Sequence, residues 1–178
     1  MTKIYRQKDP ILLKALEEIR HCKLSQETIQ LMYSLSRVPS HGGVSTCLFA
    51  LRSEVARLNQ LELNKLSGDT KIYKSDDLIP NGASRERIIK QLNDSMLMLE
   101  SLELRVGAQV MIVKNMQAKQ LYNGSVGKVT ELQSDYIVVD FERIGPTIVT
   151  RETSTIETHS YSSSPSRTQF PVVLAYAL

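Results

Sequence analysis

The sequence has little of what marks several classes of protein. Its two cysteines, Cys22 and Cys47, lie far apart and have no second pair beside them. This excludes a disulfide framework and argues against a zinc site. The three histidines show no ligand spacing, and the first residues are polar. The longest apolar runs are far too short to span a membrane. We therefore expect no membrane association and a reducing interior compartment.

Charge and catalytic motifs are equally sparse. The chain has 22 basic and 19 acidic residues, a net charge of +3 that is too small to indicate nucleic-acid binding by itself. The sequence has no phosphate-binding loop of the form G-x-x-x-x-G-K-[ST], no paired carboxylates placed to hold magnesium, and no Ser/His/Asp set. At 178 residues it is long enough for one domain, or for two small ones sharing a core.

The first third of the sequence has helical character. Asp9 followed by Pro10 predicts a helix start, and Ser25 predicts the start of a second helix. Residues 37–43 contain proline and glycine and are interpreted as a loop. The short apolar run 44–51 predicts a buried strand. After it, Ser53 is placed to cap a third helix that runs to about Leu66, and the predicted inner face of this helix consists of Val55, Leu58, Leu61 and Leu66.

The remainder is rich in predicted strands, with one short helix over residues 84–93. Strands are predicted over 71–75, 102–106, 110–113, 125–132 and 136–141. The serine- and threonine-rich residues 150–167 are interpreted as an irregular connection. Residues 170–178 are apolar and predict a buried central strand. Because a buried strand normally continues into a turn, we expect the sequence to be truncated and this strand to lack neighbours.

Four patterns stand out together, in residues 4–9, 48–59, 104–129 and 167–177. The third is the most specific: L-x-V-G-A-Q-V-M, then K-N, then N-G-S-x-G. In this order the patterns resemble the C-terminal motor half of Pif-type helicases, which belong to superfamily 1 with RecD. The resemblance covers essentially the whole chain.

The resemblance implies an α/β fold: a partial RecA-like helicase motor domain with an inserted small SH3-like β-barrel. Residues 1–68 would be part of the second motor domain, 69–166 the barrel, and 167–178 the truncated return strand of the motor domain. The family's ATP-binding loop would precede Met1. Its histidine- and lysine-containing coupling motif would follow Leu178.

The resemblance also implies roles for individual residues. Arg6 matches the arginine that reaches the γ-phosphate across the motor cleft, and Tyr5 is placed to stack on adenine. From the residues alone, Arg6 is more simply an exposed arginine near a helix start, paired with Asp9, and Tyr5 is equally a core aromatic. The predicted DNA contacts are Arg52, Ser53, Asn59, Lys114, Asn115, Asn123 and Lys128. The alternatives are helix capping for Ser53 and turn formation for Asn123 with Gly124.

The implied parent is an ATP-dependent 5′-to-3′ DNA helicase of DNA repair, recombination and telomere or genome maintenance. It would use ATP and Mg²⁺, held mainly by a missing N-terminal half, and would act on single-stranded and forked DNA as a monomer. It would be found in the nucleus or mitochondrion of a eukaryote, or otherwise in the cytoplasm. The fragment alone would be inactive. The alternative is a stand-alone nucleic-acid-binding or interaction module without catalysis.

Overall fold

The computed structural model describes residues 7–36, 45–158 and 163–178. The chain divides into two compact units, Met1–Gly43 and Val44–Leu178. Each unit is described by itself. The predicted boundaries at residues 68 and 166 remain a prediction about domain organisation.

The first unit contains a pair of helices, α1 (Pro10–Arg20) and α2 (Gln26–Leu35). As predicted, the Asp9 carboxylate caps α1 and the Ser25 hydroxyl caps α2. The Glu18 carboxylate links the two helices by accepting the Ser25 backbone N–H at 2.9 Å. This hydrogen bond is the main reason that the pKa of Glu18 falls to about 2.

The second unit contains two helices and ten strands in its described residues. The helices are α3 (Arg52–Lys65) and α4 (Arg85–Ser95). The strands are β1 (Lys71–Lys74), β2 (Asp76–Leu78), β3 (Ser101–Leu104), β4 (Gln109–Ile112), β5 (Val126–Leu132), β6 (Tyr136–Phe141), β7 (Gly145–Thr150), β8 (Glu152–Thr155), β9 (Ser166–Gln169) and β10 (Val172–Leu174). The α/β class is therefore confirmed.

The strands form three antiparallel sheets, and in the described residues none of them closes into a barrel. The orders are β10-β4-β5-β6-β7, β1-β3 and β2-β9-β8. The expectation of a closed barrel is therefore wrong. In the five-stranded sheet, β10 pairs with β4 at one edge and β7 forms the other edge, so this sheet stays open. An SH3-like relationship for this part of the chain remains a prediction.

One hydrophobic core lies between these sheets and α3. The rings of Tyr73 and Phe170 meet edge to face, with centroids 4.9 Å apart, and Leu63 of α3 is fully buried beside them. Gly127 permits the close approach of β5 to β6. A Cβ at this position would lie 2.7 Å from the Asp140 carbonyl oxygen. The second glycine of the N-G-S-x-G pattern, Gly127, thus has a packing role.

The predicted strand over 44–51 is wrong in the part that the structure describes. Residues 45–51 include one isolated bridge, from Cys47 to Ala177, and no strand. The side chain of Leu48 is 83% exposed and that of Leu51 59% exposed. The backbone of Cys47 and Phe49 bonds to Tyr176 and Leu178, but this pairing leaves the side chains of the apolar run exposed.

Helix α3 begins earlier than predicted and turns a different face inward. Leu51 is the N-cap residue and makes no side-chain cap, so Ser53 lies inside the first turn. The residues that α3 buries are Asn59 and Leu63, while Leu61, which the apolar pattern placed inside, is 47% exposed. The polar side chain of Asn59, and not one of the predicted apolar residues, therefore lies at the centre of the buried face of α3.

Two strands that were not predicted are β7, which precedes the region interpreted as irregular, and β8, which lies inside it. β7 contains Pro146, which argues against a central strand, but β7 lies at a sheet edge where a missing N–H is tolerated. β8 pairs with β9, and the Thr153 and Thr168 hydroxyls meet across this pair at 2.8 Å. β-Branched threonines favour such half-exposed strands even where the composition resembles a loop.

The segment 170–178 is buried as predicted, but its expected lack of partners is wrong. Val172 to Leu174 pair with β4, and the Cys47 N–H donates to the Tyr176 carbonyl oxygen at 2.9 Å. Phe170, Val172, Ala175 and Ala177 are fully buried. The strand portion is only three residues long, because the rest of the segment bonds to other elements.

A buried ion pair joins β9 to β2. The Arg167 side chain is fully buried and donates two hydrogen bonds to the Asp77 carboxylate, at 2.8 and 2.7 Å. It also donates to the Asn93 side-chain oxygen and the Met98 carbonyl oxygen. Burial alone would raise the pKa of Asp77, but the hydrogen bonds from Arg167 and Ser75 and the Arg167 charge hold it below its ordinary value.

We expect Arg167→Met to lower the free energy of unfolding by about 3 to 5 kcal/mol, because it leaves the Asp77 carboxylate buried without a partner. Urea denaturation at pH 7 measures this. The matched control is the double variant Asp77→Asn/Arg167→Met, which removes both charges and should recover part of the loss. A single variant as stable as wild type would contradict the role of the pair.

The same pair predicts a pH dependence. Since the folded-state pKa of Asp77 lies below its ordinary value of 3.8, its contribution to stability is complete above that pH. The contribution is lost as the pH falls through the folded-state pKa. The difference in stability between wild type and Asp77→Asn should therefore shrink as urea denaturation is repeated below pH 4.

Candidate functional site

The N-terminus of α3 is open to solvent. Leu51 supplies no side-chain cap, and Arg52 and Ser53 are both exposed in the first turn. Neither side chain has an ion pair or hydrogen bond to another described residue. A helix N-terminus carries partial positive charge and unsatisfied N–H groups, which suit a phosphate. Two of the predicted DNA-contact residues therefore lie where a phosphate would bind, and the alternative of a Ser53 cap is not observed.

Asn59, also predicted to contact DNA, is instead a buried clamp. Its side-chain oxygen accepts the Tyr176 and Ala177 N–H groups at 3.0 and 2.9 Å. Its amide nitrogen donates to the Ala177 carbonyl oxygen at 3.0 Å and faces the Leu174 carbonyl oxygen at 3.5 Å. The amide is thus fully used by backbone groups, and we leave Asn59 out of the DNA-contacting set.

Gln109 completes the fixation of this segment, and sequence reasoning missed it. Its amide nitrogen donates to the Ala175 carbonyl oxygen at 2.8 Å and to the Thr46 hydroxyl at 3.2 Å. Its backbone N–H donates to the Tyr176 hydroxyl at 3.1 Å. The Gln in L-x-V-G-A-Q-V-M was a signal available in the sequence. We use the name terminal node for residues 174–178 with the Asn59 and Gln109 side chains.

Asn115 and Asn123 meet in the loop between β4 and β5. The Asn115 side-chain oxygen accepts the Asn123 N–H at 2.8 Å, and the Gly124 N–H donates to the Ile112 carbonyl oxygen at 2.9 Å. Gly124 has φ of +94°, a conformation that favours glycine. The turn-forming alternative is thereby supported for Asn123-Gly124. Asn115 holds the turn, while Asn123 is exposed beside it.

The two predicted lysines differ in their availability. Lys114 is engaged: its Nζ atom lies 3.3 Å from the Glu152 carboxylate and donates to the Thr153 carbonyl oxygen at 2.7 Å. Lys128 is exposed on β5, with no ion pair to the described residues. Of the lysines predicted to contact DNA, Lys128 is therefore the one that is free to meet a phosphate.

The nucleotide-binding predictions cannot be placed in this structure. Arg6 and Tyr5 lie outside the described residues. Within residues 7–36, 45–158 and 163–178, no group of three His, Cys, Asp or Glu side chains is arranged to hold a metal ion. None of the described helices is long and apolar enough to span a membrane.

Comparison with known proteins gives consistent matches. The family model "DNA helicase Pif1, 2B domain" matches residues 89–132, which run from α4 to the end of β5. The ATP-dependent DNA helicase PIF1 of Emericella nidulans is 34% identical over 139 residues, covering 76% of this chain and 18% of that protein. The chain belongs to the Pif1-type helicases. It spans only about a fifth of the length of such curated relatives.

Solved Pif1 structures share the fold over nearly the whole chain. Pif1 helicase from Candida albicans matches with a TM-score of 0.72 and 28% identity, covering 99% of this chain and 45% of that one. Bacteroides Pif1 bound to ssDNA gives 0.64 and 25%, with 98% and 40% covered. A structure of two coordinating Pif1 helicases at forked dsDNA gives 0.60 and 26%, with 99% and 38% covered.

The terminal node gives a testable consequence. In Asn59→Asp, an oxygen replaces the NH₂ group that faces two carbonyl oxygens, so the buried segment loses a donor and gains repulsion. Losing such bonds costs about 1 to 3 kcal/mol. Amide hydrogen exchange at Tyr176 and Ala177 should therefore be about 10- to 100-fold faster than in wild type. The matched control is Gln60→Glu, the same chemical change at the exposed neighbouring position. Equal exchange in both variants would exclude the clamp.

Proposed function

We propose that this chain is part of an ATP-dependent 5′-to-3′ DNA helicase, to which it contributes a nucleotide-cleft arginine and part of the single-stranded DNA path. The observation that carries the proposal is the family match over residues 89–132. The helicase name of its relatives supports the same assignment. Roles in DNA repair, recombination and telomere or genome maintenance are part of the proposal.

The proposed DNA path uses the residues that the structure leaves available. Arg52 and Ser53 would meet one phosphate at the open N-terminus of α3, where both the helix dipole and the Arg52 charge favour an anion. Lys128 and the exposed Asn123 would contact the backbone from β5 and its preceding turn. Asn59 would act indirectly, by holding residues 174–178 against the same helix.

The nucleotide would be ATP with Mg²⁺, held mainly by residues outside this chain. Arg6 would donate to the γ-phosphate, and Tyr5 would stack on the adenine. The proposed partners are single-stranded and forked DNA, in line with the solved Pif1 complexes. We propose a monomer as the basic unit, with two copies meeting at a fork as an arrangement seen in a relative. The proposed compartment is the nucleus or mitochondrion in a eukaryote, and otherwise the cytoplasm.

The second candidate is a stand-alone nucleic-acid-binding module without catalysis. It is favoured by the absence of a phosphate-binding loop from this sequence. The gene sequence on either side of these 178 residues discriminates the two. A phosphate loop upstream and a histidine–lysine motif downstream would decide for the helicase.

We expect weak, salt-sensitive binding of an oligo(dT) strand by this chain. Each phosphate neutralised on a single strand adds about −0.7 to the slope of log K against log salt. Arg52→Gln should therefore make the slope shallower by about 0.7. The control is Arg57→Gln, the same charge change at an exposed site on α3 away from its N-terminus. A salt-independent affinity in wild type would reject the proposed DNA path.

In the full-length protein, Arg6→Ala should reduce ATP turnover by about 10³-fold, because the charge that develops during phosphoryl transfer loses its partner. Nucleotide binding should change little, which titration with a fluorescent ATP analogue measures. Lys8→Ala, a nearby exposed cation, is the control. Near-normal turnover in the Arg6 variant would refute the assignment.

A further inference from the structure

A cleft of about 640 Å³ lies between the β4–β5 loop and the turn that joins β6 to β7. Of the residues predicted to contact DNA, only Asn123 lines it. Its polar and aromatic lining comes from Gln120, Tyr122, Asn123, Ser125, Glu142 and Arg143. A volume of this size falls in the range that binds small ligands and would admit a single nucleotide.

Tyr122 presents an aromatic ring to solvent from a rigid turn. It is 56% exposed. Its backbone N–H donates to the Ser125 hydroxyl at 3.1 Å, and its carbonyl oxygen accepts the Ser125 N–H at 2.9 Å. The following residue, Asn123, is held by Asn115 as described above. Because the backbone that carries the ring is already fixed, a flat ligand that stacks on the ring need not order the turn.

Gln120, in the same loop, has an unusual backbone conformation. Its φ of +54° lies in the left-handed region, which non-glycine residues rarely adopt. The surrounding structure holds it there: its N–H donates to the Gln117 carbonyl oxygen at 3.0 Å, and Lys119 donates to the Ile148 carbonyl oxygen of β7 at 2.9 Å. Strained residues of this kind cluster at ligand-binding positions.

Arg143 lies on the opposite wall of the cleft. It is exposed, and it has no ion pair with another described residue. The neighbouring Glu142 carboxylate also lines the cleft, so the wall is not uniformly basic. This arrangement suits a ligand with one phosphate, which Arg143 can bind. A neighbouring group of the ligand can donate a hydrogen bond to the Glu142 carboxylate. The arrangement does not suit a run of phosphates.

We propose that this cleft is a nucleotide subsite, in which one base of a single strand stacks on Tyr122 and its phosphate contacts Arg143. The side-chain amides of Gln120 and Asn123 would face the base edge. A paired base is already stacked within its duplex, so the exposed ring selects single-stranded nucleic acid. This inference rests on the proposed function, since it adds a contact to the same strand.

Anisotropy with a fluorescein-labelled 15-nucleotide oligo(dT) separates the two contacts. Tyr122→Ala should weaken binding by about 5- to 100-fold with an unchanged salt slope, because stacking involves no counterion. Tyr122→Phe, which keeps the ring, should bind nearly as wild type. Arg143→Gln should instead make the salt slope shallower by about 0.7.

A tryptophan reporter tests stacking directly. The sequence contains no tryptophan, so Tyr122→Trp gives a single tryptophan whose emission can be excited apart from that of the tyrosines. Oligo(dT) should quench its fluorescence, whereas an abasic strand with the same number of phosphates should not. The control is Tyr33→Trp, an exposed tyrosine of the first unit, whose emission should respond to neither strand.

The outcomes distinguish this inference from the proposed function. If wild type binds oligo(dT) but Tyr122→Ala binds equally well, the subsite is excluded and the proposed function stands. If the abasic strand quenches as strongly as oligo(dT), the cleft recognises phosphate alone and base stacking is wrong. If wild type binds neither strand, both the proposed DNA path and the subsite fail.

Discussion

The second unit depends on the hydrogen bonds of the terminal node. Residues 174–178 receive Asn59 from α3 on one side and Gln109 from β4 on the other, and they bond to the backbone of Cys47 and Phe49. One short segment thus fixes residues 47–59 and β4, both of which lie far from it in sequence. Because these groups are buried, each bond that is removed leaves a polar atom without water or protein to satisfy it.

The hydrogen bonds of the terminal node explain how a solvent-exposed surface of the second unit can remain rigid. The interior face of α3 is bound through Asn59, so its first turn can stay uncapped and exposed without unravelling the helix. In the same way, the Asn115 and Ser125 side chains accept hydrogen bonds from backbone N–H groups of the β4–β5 loop. The loop therefore stays ordered although Tyr122 is exposed to solvent. Both surfaces can stay exposed and ordered because the packing behind them is complete.

The sequence predicted the caps and turns best. Asp9, Ser25 and Asn123-Gly124 act through short-range hydrogen bonds, and each is where it was expected. The predicted buried strand at 44–51 failed because apolar character does not say whether side chains are covered: Cys47 and Phe49 bond to residues 176–178 through their backbone, yet their side chains stay exposed. The role assigned to Asn59 failed because an amide side chain suits a phosphate and a buried backbone equally well. β8 was missed because a threonine-rich segment forms a strand only when a partner such as β9 pairs with it. Local composition does not predict pairing with a distant segment.

The buried ion pair has a consequence for the order in which the protein is made. Arg167 follows Asp77 by 90 residues, and β10 follows its partner β4 by about 60. At a synthesis rate of about 5 to 20 residues per second, the ribosome needs about 5 to 20 s to deliver Arg167 after Asp77. For that interval the edges of β2 and β4 have no partner, and unpaired strand edges attract other chains. The nascent chain is therefore most vulnerable to misassociation, and most in need of chaperone protection, between the emergence of β4 and that of β10.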